Sequence, residues 1–140
     1  MAKNPPEGWS TLASAVFYDD PGAAIDWLCA VIGFETRLRI DGDGGDVIHS
    51  ELVFGGDGVV MVASAKRPPF KSPRSLGGAN TQSLLLYVPD VEALHARAQK
   101  AGAKITTELE TKNYGDDYGT NRSFELEDPG GHRWWITQRL

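Results

Sequence analysis

Two stretches of this 140-residue chain carry the same order of signals at one spacing. In the first, the strand-like run TLASAVFYD (11–19) stops at Asp19-Asp20-Pro21, an N-cap acid followed by proline at the first helical position. The helix PGAAIDWLCAVIG follows, with Ala24, Leu28 and Val31 on its apolar stripe, Ile25, Trp27 and Ile32 widening it, and Gly33 placed to close it. Three strand-like runs come next, FETRLRI to Ile40, DVIHSELVF from Asp46 and GVVMVAS from Gly58; DGDGG and GGDG between them are hairpin-type turns. In the second stretch TQSLLLYV leads to Pro89-Asp90 and the helix DVEALHARAQKAG, whose buried stripe is Val91, Leu94, Ala98 and Ala101. Its acids, Asp90 and Glu92, come early and its bases, Arg97 and Lys100, come late, as the helix dipole favours. AKITTEL, NRSFELE and HRWWITQ supply three further strands.

Asp20 to Asp90 spans 70 residues and Gly33 to Gly102 spans 69, so strand, helix and three strands occur twice at one period. Two copies indicate a duplicated half-domain; a solenoid needs more. The expectation is an α+β chain, a single domain over 1–140, built from βαβββ modules at about 11–65 and 81–139. The intervening KRPPFKSPRSLGGAN (66–80) holds three prolines, two glycines and four bases without regular spacing, and reads as a solvated linker.

The formal net charge of -5 leaves no basic face for nucleic acid or an anionic membrane, so neither is an expected partner. No apolar run is long enough to span a bilayer, and the first ten residues lack a signal-peptide core, so a cytoplasmic location is expected. The single cysteine, Cys29, lies within an apolar helical pattern and reads as a buried, inert thiol. No GxSxG, P-loop or CxxC sequence is present, and the glycine-rich turns lack the strand-to-helix setting of a dinucleotide site.

The duplicated βαβββ order, together with AAIDWLCAVIGFE, VIHSELVFGGDGVVMVAS and the closing YGDDYG…DPGGHRWW, resembles the vicinal oxygen chelate superfamily. That group includes glyoxalase I, bleomycin-resistance proteins, fosfomycin-resistance enzymes and extradiol dioxygenases, and these segments are most similar to its PhnB-like, uncharacterised subgroup. The resemblance runs from about Leu12 to Thr137. It implies sheets curled into half-barrels around a cavity, and a homodimer.

It also implies where a divalent metal would sit in catalytic members, on His or Glu from four strands. Those positions fall on Ala13, Glu51, Ser83 and Trp135, of which only Glu51 is a good ligand. His49, two residues from Glu51, shares its strand face. The pair is the one polar constellation on which an atypical metal site could be built, and otherwise a hydrogen-bonded couple in a partly wet cavity. No cofactor is therefore expected.

Strand alternation lists the residues that would line the cavity. If Trp135 faces inward, so do Arg133 and Thr137, while Trp134 and Ile136 pack outward against a helix. Ala13, Ala15 and Phe17 then face inward, as do His49, Glu51 and Val53, and Ser83, Leu85 and Tyr87. In the family the NYGDDYG loop nears the cavity mouth, which would bring the rings of Tyr114 and Tyr118 over a ligand; Asp116 and Asp117 between them read as solvated. The candidate ligand-binding set is His49, Glu51, Phe17, Ser83, Tyr87, Tyr114, Tyr118, Arg133 and Trp135, with no catalytic residue assigned. A wall of small and aromatic residues suits a flat, partly apolar small molecule. The chain's acidity favours a cationic or neutral one. The alternative is a metal-dependent lyase, isomerase or dioxygenase working from His49 and Glu51.

Overall fold

A computed structural model describes residues 2–140. The first module runs β1 (Ser14–Tyr18), α1 (Pro21–Trp27), β2 (Glu35–Asp41), β3 (Val47–Phe54) and β4 (Gly58–Ser64). The second runs β5 (Leu84–Tyr87), α2 (Val91–Lys100), β6 (Lys104–Asn113), β7 (Thr120–Glu127) and β8 (Arg133–Arg139). Each module folds into one four-stranded mixed sheet, in the orders β1-β4-β3-β2 and β5-β8-β7-β6, and neither sheet closes into a barrel. The opening strand of each pairs in parallel with the last, β1 with β4 and β5 with β8, and every other pairing is antiparallel. The duplication read from the sequence is thus a duplication of topology.

Both helices start as their sequences dictate. Asp20 Oδ1 accepts from the Ala23 amide at 3.1 Å and Asp90 Oδ1 from the Ala93 amide at 3.0 Å, each satisfying an otherwise orphan donor. α1 runs on into a π-helical turn, Leu28–Ile32, ended by Gly33 in the left-handed conformation. The carbonyls exposed by that turn are met from the other module. Arg97 on α2 donates from Nε to the Val31 carbonyl at 2.7 Å and from Nη2 to that of Ile32 at 3.4 Å.

Alternation divides every strand between two faces. Val16, Tyr18, Leu52, Val60 and Val62 from the first sheet, and Phe124, Leu126, Trp134 and Ile136 from the second, join Leu28, Ile32, Val91 and Leu94 in one core. Trp134 lies edge-on to Phe34 there, on the helix side of its sheet as the alternation predicts. Within this core Ser50 stitches β3 to β4: its hydroxyl donates to the Val62 carbonyl at 2.6 Å and accepts the Val62 amide at 3.0 Å.

The two modules meet at Asp128, a buried carboxylate in the turn before β8. Its Oδ1 accepts the amides of Gly130 and His132, both at 3.0 Å. Its Oδ2 accepts the Tyr18 hydroxyl at 2.5 Å and the Trp134 indole at 2.9 Å. Four donors replace the water that burial removes. A side chain at Gly130 would put its Cβ 2.5 Å from the Tyr18 ring, so the approach of β1 to this turn requires glycine. His132 completes the junction: a carbonyl can only accept, so its Nε2–H donates to Phe17 O at 2.7 Å.

The segment 66–80 is largely exposed, as its composition suggests, yet it is anchored to the first module at several points. Ser72 and Pro73 are buried, Ser72 Oγ donates to Asp19 Oδ2 at 2.8 Å, and Phe70 stacks on Phe17 with ring centroids 4.0 Å apart. Irregular packing leaves no periodic trace, which is why the sequence pattern misses it. Strand β5 is also shorter than TQSLLLYV, starting only at Leu84, while β6 extends on to Asn113.

Burial and the adjacent Asp128 carboxylate hold the Tyr18 hydroxyl well above its ordinary pKa of 10.0. Its stabilising contribution is then complete below pH 10 and is lost as pH rises beyond, because the folded state retains a proton that the unfolded chain releases. Urea titrations should show wild-type stability falling above pH 10 and a flatter dependence in Tyr18→Phe. At neutral pH that variant should be less stable by about 1–3 kcal/mol, since Asp128 Oδ2 loses a donor.

Candidate functional site

The faces of the two sheets that turn away from the core carry the candidate residues. On the first sheet, Ala15 and Phe17 stand opposite Met61 and Ala63 on β4. Phe17, Phe70 and residues 69–82 enclose a cavity of about 390 Å³, within the size range of small-molecule sites. Its apolar wall is Ala15, Phe17, Phe70 and Leu76; its polar groups are Lys71, Asn80, Thr81, Gln82 and His132. The Phe17 and Phe70 rings are parallel to within 2°. Phe70 remains 47% exposed, so its outer face is free to meet another flat ring.

His49 and Glu51 lie on the same face of β3, two strands from β1, hence about 10 Å from Phe17 across the sheet. They are hydrogen-bonded to each other, His49 Nε2 to Glu51 Oε2 at 3.0 Å. Glu51 is not free, however. Arg37 donates from Nε to its other oxygen at 3.2 Å and from Nη1 to the Gly8 carbonyl at 2.7 Å, with the Trp9 ring 4.6 Å from the guanidinium carbon. A strap of N-terminal chain is thereby fastened over the strand next to Glu51.

This set does not fit the divalent metal that the resemblance implies. The Glu51 charge is already offset by the permanent cation of Arg37, which disfavours a dication beside it, and His49 is the one further donor the pair offers. Ala13 and Ser83 lie just before β1 and β5, Ser83 exposed, and Trp135 offers an indole in place of a carboxylate. Among the described residues no three His, Cys, Asp or Glu side chains converge.

The outward face of the second sheet holds the rest. Trp135, half-buried, is paired between Leu85 on β5 and Glu125 on β7. Arg133 donates from Nη1 to Glu125 Oε1 at 2.9 Å, and the same oxygen accepts the Thr106 hydroxyl at 2.6 Å. Arg133 Nε is buried and has no partner among the described residues. Leu85 and Tyr87 are more than half exposed. Tyr114 and Tyr118 flank the exposed Asp116 and Asp117 at the tip of the β6–β7 hairpin, with Tyr118 72% exposed.

Of the residues expected to line a cavity, the pocket beside β1 takes in Ala15 and Phe17, while His49 and Glu51 share its sheet face. Ser83, Tyr87, Arg133 and Trp135 belong to the second sheet or its approach. The pocket residues absent from that set, Phe70, Lys71, Asn80, Gln82 and His132, come from the segment read as linker, from the start of the run TQSLLLYV and from the turn before β8. One signal was available: a lone aromatic, Phe70, in a proline-rich polar stretch.

Comparison with known proteins gives concordant matches. The sequence profile described as Glyoxalase/Bleomycin resistance protein/Dioxygenase superfamily matches residues 11–136. An uncharacterised protein of Mycobacterium tuberculosis strain H37Rv is 33% identical over 133 residues, covering 91% of this chain and 73% of its own length. Among solved structures, TioX from Micromonospora sp. ML1 superposes with a TM-score of 0.70 at 33% identity, over 94% of this chain and 97% of TioX. TnmS3 from Streptomyces sp. CB03234, described as an antibiotic binding protein, gives 0.65 at 21% identity, over 91% and 93% of the two chains.

The adjacent tryptophans should respond unequally to truncation. Trp134, 1% exposed and bonded to Asp128, should cost about 3–5 kcal/mol as Trp134→Ala in urea unfolding. Trp135→Ala, on the outward face, should cost about 1 kcal/mol.

Proposed function

Because the chain belongs to the glyoxalase/bleomycin resistance protein/dioxygenase superfamily, we propose that it binds a flat, partly aromatic small molecule over its outward sheet faces, without the metal centre of the catalytic members. The observation that carries this reading is the cavity beside β1, where two parallel phenylalanine rings form one wall. Aromatic rings held this way supply large contact area at little conformational cost, and the Gln82 amide and Thr81 in the same lining fix orientation. The fold shared with TnmS3 serves antibiotic binding in that protein. His49 and Glu51 act as polar neighbours of the ligand, held in place by Arg37.

Homodimerisation belongs to the same reading. Leu85 and Tyr87, 58% and 57% exposed beside Trp135, form an apolar surface that a second copy of the chain would cover.

The test uses 2-naphthalenemethanol, an uncharged two-ring probe, monitored by chemical-shift perturbation. Saturable binding with shifts at Ala15, Phe17 and Phe70 is expected, and Phe70→Ala should weaken it about tenfold by removing the outer ring. Absence of saturable binding by the wild type would sink the reading. Sedimentation should report twice the monomer mass, and a monomer at high micromolar concentration would remove the dimer from it.

A further inference from the structure

The net charge of the chain points to cationic ligands, but the cavity beside β1 points the other way. Its lining contains one ionised side chain, Lys71, and no carboxylate. Lys71 enters none of the ion pairs among the described residues, whereas the neighbouring Arg67 is committed to Asp46. The carboxylates around this wall are engaged elsewhere, Glu51 on the same sheet face being held by Arg37 and His49. Asp19 is held by Ser72 and lines a separate small cavity with Tyr18 and Arg74, and Asp128 lies behind His132 with both oxygens bonded.

The neutral groups add donors. Gln82 accepts the Ser14 hydroxyl at its carbonyl oxygen, which leaves its amide N–H₂ for a ligand, and the Thr81 hydroxyl lines the same wall. Asn80 is spent differently, donating to the carbonyls of Gly78 and Gly131 and so bracing the wall. The -5 of the whole chain is spread over its surface and screened beyond about 10 Å at 0.1 M salt. A single ammonium in contact with the ligand therefore outweighs it.

We propose that this cavity selects planar aromatic acids, the ring stacking beside Phe17 and Phe70 and the carboxylate or ionised phenol meeting Lys71. The assignment rests on the ligand-binding reading above and sharpens it to a substrate class.

Three probes of one shape separate the two: 2-naphthoate, 2-naphthalenemethanol and 2-naphthylmethylamine. Wild-type protein should bind the acid about tenfold more tightly than the alcohol, and the amine more weakly still. Lys71→Met should erase the advantage of the acid and leave the alcohol within about twofold of wild type, because Lys71 is exposed and an uncharged probe has no charge for its ammonium to meet. Lys71→Glu should favour the amine. Equal or tighter binding of the amine by wild type, or an acid preference that survives Lys71→Met, overturns the charge assignment while binding of the alcohol upholds the pocket. Failure of all three probes overturns both.

Discussion

The buried carboxylate of Asp128 is the constraint on which the arrangement of the two modules turns. A carboxylate without water demands donors, and this one obtains two from the backbone of its own turn, one from β8 and one from β1 of the other module. The Tyr18 hydroxyl can reach it only because residue 130 has no side chain. His132, fixed by the same turn, then bonds to the Phe17 carbonyl and sets the height of the strand carrying the aromatic wall. Arg97, spanning to the π-helical turn after α1, makes a second tie of the same kind. Polar groups that would be liabilities in either module alone are satisfied only when both are present.

This joining explains why one face of each sheet is free. The helices and the second row of strand residues fill a common core, leaving Ala15, Phe17, His49 and Glu51 on one outward face and Leu85, Tyr87, Arg133 and Trp135 on the other. Where relatives with metal chemistry need converging carboxylates and imidazoles, this chain has a carboxylate already neutralised by Arg37 and an indole. The polar groups that remain are suited to orienting a ligand, and the aromatic ones to covering it. The segment between modules takes part in this: it brings Phe70 onto Phe17 and places Lys71 at the rim, so a region that looks like a tether supplies part of the cavity wall.

Much of this was legible in the chain. Caps at Asp20 and Asp90, the stop at Gly33 and the 70-residue period gave both helices and the order of all eight strands, because capping, turn chemistry and alternation are local effects. Alternation also put Trp134 and Trp135 on opposite faces of β8, and Trp134 is buried on the helix side while Trp135 is half-buried on the other. What stayed hidden was every contact between residues distant in sequence. Arg37 clasping Glu51, Tyr18 reaching Asp128 across 110 residues and Phe70 lying on Phe17 have no spacing rule that announces them. The sequence by itself determined which side chains share a face. Only the tertiary structure decided which of those faces meet, which charges are cancelled and that Lys71 stands in the cavity wall, since these follow from through-space distances that local order does not specify.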